Sequence, residues 1–162
     1  MSADIAVTGT CQCGHVKYAT TTLPSSLSNC YCITCRRLSG GPFQTSGLFP
    51  TDSVTFTTGQ DSMKKMSYSE IADRQHCAEC GSQISMQYRC EPESIYLTVG
   101  TFDKVQGELP KVATHIFTEG GKKIGGYYDI PKDDVPQYRK HSDGFEKKLS
   151  AWKEIFLGPG LG

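Results

Sequence analysis

Seven of the eight cysteines in this 162-residue chain fall in three tight groups, and they are the residues best placed to do chemistry. The densest group is Cys30-Tyr31-Cys32-Ile33-Thr34-Cys35, a C-x-C-x-x-C run. One disulfide cannot use all three sulfurs, and neighbours this close bridge poorly. Three convergent thiolates instead suit zinc, which prefers four ligands in a tetrahedron. Three protein ligands leave one position open, and zinc does its chemistry at an open position; a closed four-ligand site is structural. The competing reading of the run is a structural site whose fourth ligand lies elsewhere in the chain.

The other two groups are pairs, Cys11-Gln12-Cys13-Gly14 and Cys77-Ala78-Glu79-Cys80-Gly81. In a metal knuckle, backbone N–H groups point at the sulfurs, and a glycine after the cysteine permits the tight turn. Two such pairs make a closed four-cysteine zinc site tying residue 11 to residue 80, with a binding free energy that stabilises the fold directly. Spacing alone leaves the partition open. The triplet can share ligands with Cys77 or Cys80, and Cys90 can complete the second site or be a small half-buried residue.

The rest of the chain has to position these groups. Its length fits one domain, residues 1–162, with a real core. Seventeen acidic side chains balance seventeen basic ones, so bulk attraction to nucleic acid or to an anionic membrane is not expected. No apolar run approaches a membrane span. The start, Met1-Ser-Ala-Asp-Ile, lacks a basic region and an apolar signal core, so the expected location is the cytoplasm, where thiols stay reduced and cysteines favour metal over disulfides. Alternating stretches predict strands over 16–20, 43–49, 53–58, 65–69, 83–88, 94–99 and 112–117, separated by Gly- and Pro-rich turns. Residues 1–9 read as an extended lead-in, and Leu38-Ser39-Gly40-Gly41-Pro42 as a loop. Only about 142–157 reads as a good helix: Ser142-Asp143 can cap it with Glu146, and Phe145, Leu149, Trp152 and Phe156 would line one packed face. Many short strands with frequent turns argue for a mainly β domain.

Taken together the motifs resemble a known family. Gly9-Thr10-Cys11-Gln12-Cys13-Gly14-x-Val16, the Cys30/Cys32/Cys35 triplet with Arg36 and Ser39-Gly40, Cys77-x-x-Cys80-Gly81-Ser82, Val99-Gly100-Thr101-Phe102-Asp103 and His115-Ile116-Phe117 match, in order and spacing, the glutathione-dependent formaldehyde-activating enzymes, a family that also holds the centromere-protein-V-like proteins. The match covers about residues 8–138. The resemblance implies a β-tent fold of several small coiled antiparallel sheets stapled by zinc. It implies a structural zinc on Cys11, Cys13, Cys77 and Cys80, and a catalytic zinc on Cys30, Cys32 and Cys35. The chain departs from many members in having Tyr31 where they have histidine, and in lacking a tryptophan in Lys122-Lys123-Ile124-Gly125-Gly126-Tyr127.

The activity so implied is that of a carbon–sulfur lyase, with glutathione as co-substrate adding to formaldehyde to give S-hydroxymethylglutathione. Zinc would favour the thiolate, which is the nucleophile. The second zinc, with fewer ligands, is expected to bind less firmly, so purified protein would carry between one and two zinc ions. Arg36 and Arg37 can pair with a substrate carboxylate or sit as a solvated surface pair. His115 can serve as acid or base, or be a hydrogen-bonded structural histidine. Tyr31 can line the cavity, donate a proton or simply pack. His15, His76 and His141 carry no distinguishing context. Two other readings keep the zinc: an enzyme that isomerises, decarboxylates or cyclises another small metabolite, and a non-catalytic zinc-stapled scaffold. The expected partner is a small-molecule substrate; association into a homo-oligomer is left open.

Overall fold

A computed structural model describes residues 4–119 and 123–158. All seven alternating stretches become strands, and five strands that were not expected join them, twelve in all among the described residues. In chain order the first six are β1 (Val7–Thr10), β2 (Lys17–Thr20), β3 (Ser26–Cys30), β4 (Gln44–Pro50), β5 (Val54–Thr58) and β6 (Met63–Ser69). The others are β7 (Ala72–Cys77), β8 (Gln83–Tyr88), β9 (Ser94–Thr98), β10 (Phe102–Val105), β11 (Val112–Ile116) and β12 (Gln137–Tyr138). Helix α1 (Ile33–Ser39) follows β3, and α2 (Asp143–Phe156) closes the described chain. No described helix is long and apolar enough to cross a membrane.

The strands form a four-stranded sheet, ordered β10-β1-β2-β5, and an eight-stranded sheet, ordered β12-β11-β3-β4-β9-β8-β7-β6. Side chains alternate between the two faces of a strand, and the large sheet uses that alternation fully. Phe49 of β4 and Ile95 and Leu97 of β9 enter a core shared with Val7, Val16 and Tyr18 of the small-sheet side. Their neighbours of opposite parity, Ser46 and Leu48 of β4 and Tyr96 of β9, line a cavity. One face of the large sheet thus builds the core, and the other builds a binding space that α2 walls off with Gly144, Phe145 and Lys148.

The expected mainly β fold with a C-terminal helix is present, and four local expectations need correction. The sheets are not wholly antiparallel, because β11 runs parallel to both β3 and β12. The extended lead-in is in part a paired strand, β1. Ile33–Ser39 is a helix for which no element was expected, and it takes in Leu38 and Ser39 of the expected loop. Its start is hidden because the N-cap is a thiol, Cys32, whose Sγ takes the Cys35 N–H at 3.4 Å, where Ser, Thr, Asp or Asn is the usual signal. Gly40 ends it at φ 68°, its N–H bonded to the Arg36 carbonyl. Finally, the apolar stripe of α2 is shorter than it reads. Leu149 is buried, Phe145 and Trp152 are half-buried, and Phe156 is 66% exposed and stacked only on Trp152. Ser142 caps α2 without a side-chain bond; Glu146 instead reaches back to the His141 N–H at 3.1 Å.

Candidate metal centres and the cavity beside them

The β1–β2 turn and the β7–β8 turn bring the cysteine pairs together. Turn residues after β1 carry Cys11 and Cys13, the end of β7 carries Cys77, and the following turn carries Cys80. The four sulfurs lie within 4.8 Å of one another. Cys11 and Cys13 sulfurs are 3.5 Å apart, and those of Cys13 and Cys77 are 3.7 Å apart. Four sulfurs around zinc at about 2.3 Å would stand roughly 3.8 Å apart, whereas a disulfide needs about 2.05 Å. The spacing therefore fits a tetrahedral cation. Both knuckle glycines have the left-handed backbone their turns require, φ 79° at Gly14 and φ 75° at Gly81, and each returns its N–H to the first cysteine of its pair, Cys11 or Cys77, at 2.9 Å. The Val16 N–H adds a 3.2 Å bond to Cys11 Sγ. Bonds from the Ser82 hydroxyl and backbone draw the Cys80 thiol down to about 5, which readies it as a thiolate ligand. Cys11 and Cys77 are built into the core cluster, while Cys13 and Cys80 face solvent.

Cys30, Cys32 and Cys35 form a second group, again with all sulfurs within 4.8 Å. Cys30 ends β3, Cys32 caps α1, and Cys35 returns beside it after one helical turn. Cys90 is half-buried and stands outside both groups. Thiol bonds from Cys30 and then Cys35 pull Cys32 down to about 2, and Cys30 is driven well above the usual thiol range by the same bond. Cys35 is lowered by its bond to Cys30, but the Cys32 thiolate and burial outweigh this and leave it at about 11. Three sulfurs gathered at one point suit a soft cation with one position to spare.

All three sulfur residues line the cavity, which holds about 620 Å³. The four-cysteine group borders only a more open surface depression with Thr10 and Asp103. The cavity walls are mainly apolar and hydroxyl side chains, with a few charged groups. Arg74 of β7 is only 6% exposed, and among the described residues it has no carboxylate partner. Its Nη2 lies 3.9 Å from Cys35 Sγ, and its Nε is buried without a partner. Lys148 is paired with Glu91 at 2.7 Å and Glu93 at 3.4 Å. Tyr88 Oη is 3.0 Å from His141 Nε2, and His141 Nδ1 is 2.7 Å from Glu146 Oε1.

The other residues singled out in the sequence lie behind the triplet. Tyr31 is fully buried between Phe43, Tyr128 and His115. Its Oη is 3.2 Å from His115 Nδ1, and His115 Nε2 is 3.0 Å from Asp133 Oδ2. Neither Tyr31 nor His115 belongs to the cavity lining, because the parity that turns Cys30 and Ile116 inward turns them outward. Arg36 is also outside the lining; it sits under Gly125, 3.9 Å from Glu119. Arg37 is exposed. Sequence reasoning missed Arg74, Tyr88 and His141. Arg74 and Tyr88 needed strand register to be seen, and His141 had one cue, its place just before a capped helix.

The sequence profile of the family described as glutathione-dependent formaldehyde-activating enzyme matches residues 6–120. No curated protein matches the chain. Among solved structures, a crystal structure of a Rhodobacter sphaeroides protein superposes with a TM-score of 0.53 at 24% identity, covering 64% of this chain and 97% of that one. That likeness concerns the fold.

Proposed function

The chain belongs to the glutathione-dependent formaldehyde-activating enzyme family, and we propose that it joins the sulfur of glutathione to formaldehyde, or splits that bond, in the cavity beside Cys30, Cys32 and Cys35. One observation carries this reading: of the two cysteine groups, the three-sulfur group opens onto the 620 Å³ cavity, a volume in the usual range for small-molecule sites. Zinc on these three sulfurs would supply a Lewis-acid position that favours the thiolate form of an incoming thiol. The four-cysteine group would hold a structural zinc.

The protein's own side chains then have distinct tasks. Arg74 places a positive charge at the inner end, beside Cys35, where it favours a thiolate and can donate its free Nε–H to an anionic substrate oxygen. Phe145, Tyr88 and Tyr96 give an apolar wall that limits water around the reacting sulfur. Sulfur attack on the aldehyde carbon makes the hydroxymethyl thioether; the reverse is carbon–sulfur lyase chemistry. Following ¹³C-formaldehyde by NMR with glutathione and zinc-loaded protein tests the proposal. Exchange between free aldehyde and S-hydroxymethylglutathione should be faster than the uncatalysed rate, and Cys32→Ser should abolish the acceleration. No acceleration by wild-type protein carrying two zinc ions would reject it.

A further inference from the structure

The cavity contains a second chemical device besides the triplet. Glu146 Oε1 accepts both the His141 backbone N–H at 3.1 Å and the ring Nδ1–H at 2.7 Å. A carboxylate only accepts, so the ring proton sits on Nδ1 and Nε2 is left as an acceptor. Tyr88 therefore donates its O–H to Nε2, across 3.0 Å, and keeps a lone pair on Oη for another donor. Tyr88 and His141 both line the cavity with the three cysteines. Three aromatic rings, Tyr88, Phe117 and Phe145, pack around the imidazole with centroid distances of 5.3, 4.8 and 4.7 Å, contact distances for tilted or edge-on rings.

From this arrangement we infer that Tyr88, His141 and Glu146 are a proton relay that takes the proton of an incoming thiol and returns it to the aldehyde oxygen. The inference rests on the thiol–aldehyde reading above. Placement, not the motif, carries it: Tyr31, His115 and Asp133 also chain a phenol, an imidazole and a carboxylate, but that chain lies behind the triplet, away from the cavity. His141 and Glu146 lie beyond residue 120, outside the stretch that the family profile matches.

The step balances without an outside acid or base. The thiol S–H proton passes to Tyr88 Oη as the Tyr88 proton passes to His141 Nε2, leaving an imidazolium held by Glu146. The sulfur electron pair forms the carbon–sulfur bond, and the carbonyl π pair moves to oxygen. That oxygen takes the proton of Tyr88, which recovers its own from Nε2. The sum is R–SH plus H₂C=O giving R–S–CH₂–OH. The groups facing the imidazole make it chargeable yet neutral at rest. Burial disfavours the charged ring, Glu146 and negative charge at Cys32 favour it, and Lys140 opposes it.

Proton counting tests this without turnover. Glutathione is titrated calorimetrically into zinc-loaded protein at pH 7, without aldehyde, in buffers of different ionisation enthalpy. A free thiol with a pKa of about 8.5 is protonated there, so binding as thiolate must send a proton either to buffer or to the protein. Wild type should release well under one proton per glutathione bound. Tyr88→Phe, which removes only the hydroxyl and keeps the ring packing, should release about one, and so should His141→Gln. Both should slow adduct formation by about 10²-fold, in the range of lost general acid–base catalysis. Release of a full proton by wild type, or equal release by wild type and Tyr88→Phe, overturns the relay while leaving the thiol reading in place. Glutathione that gives no binding heat and no protection of the metal against a chelator overturns both.

Discussion

The two cysteine groups offer the same ligand atom in opposite surroundings. The four-sulfur group is closed and half exposed, and it ties the first strand pair to the β7–β8 hairpin across 64 residues between Cys13 and Cys77. The three-sulfur group is local, three residues on a strand end and one helical turn, and it faces a cavity. A ligand set that spans distant segments restricts the unfolded chain and links metal affinity to folding; a set confined to six residues can lose its metal and leave the topology standing. The difference between the groups therefore lies in sequence separation and in what each set faces, more than in the thiols themselves.

The sharpest way to break that contrast is to remove one sulfur from each group. Cys77→Ser should cost the whole cooperative transition, because the proposed zinc would lose a ligand and a serine hydroxyl would be buried among the apolar side chains around this core residue. Cys32→Ser should leave a two-state unfolding curve with a Tm close to wild type and one zinc ion per chain. Calorimetry with zinc analysis on both variants decides the matter. Equal loss of stability would make the triplet a second staple and remove the basis for a catalytic site.

Helix α2 gives the next largest effect. Leu149 is its one fully buried apolar residue, so Leu149→Ala should cost about 2–5 kcal/mol in urea unfolding, as buried leucine truncations do. Trp152 is only half-buried, and its truncation should cost less than that of Leu149. If α2 is a wall of the cavity and no part of the staple, Leu149→Ala should also make the triplet easier to alkylate while the four-cysteine zinc stays bound.

These elements show what could and could not be read from the chain. Each cysteine pair was legible as a knuckle because spacing and glycine position are local, and the β-rich fold because period-two alternation is local; that the two pairs meet in one group followed from the family resemblance and not from spacing. The α1 helix was not, since its cap is a thiol doing the work usual for a hydroxyl or carboxylate. The cavity's charged groups were not legible either. Arg74 and Tyr88 gain meaning only from the register of β7 with β8, and Tyr31 and His115, which look functional in sequence, are turned outward by the parity of β3 and β11. Burial face is a property of pairing, and spacing within one segment does not reveal it.

Arg74 provides a smaller test of the cavity side. Arg74→Gln removes the charge that faces Cys35 and the buried Nε–H. Glutathione binding should weaken about ten- to a hundredfold, in line with the roughly 1.5–3 kcal/mol of a hydrogen bond to a charged group. The zinc of the four-cysteine group should be unaffected. An unchanged affinity would mean that the guanidinium serves the cysteines alone.

The smallest effects compare backbone with backbone. Gly81 in the knuckle and Gly40 after α1 both have positive φ, 75° and 68°, and a Cβ at either position would meet no heavy atom within 4 Å. Alanine at each site therefore adds no clash, only the left-handed penalty of about 1–2 kcal/mol. The cost should be equal in size and different in destination. At Gly81 the strain sits in the turn whose N–H closes on Cys77, so Gly81→Ala should lower Tm and speed the loss of the tightly held zinc to a chelator. At Gly40 the strain falls on the last turn of α1, the short helix whose first turn holds Cys35 against Cys32, so Gly40→Ala should loosen only a metal on the triplet and leave one on the four-cysteine group untouched. If Gly40→Ala released the tightly held zinc as readily as Gly81→Ala does, the two groups would be coupled through the fold, and the contrast between a distant staple and a local reactive site would have to be given up.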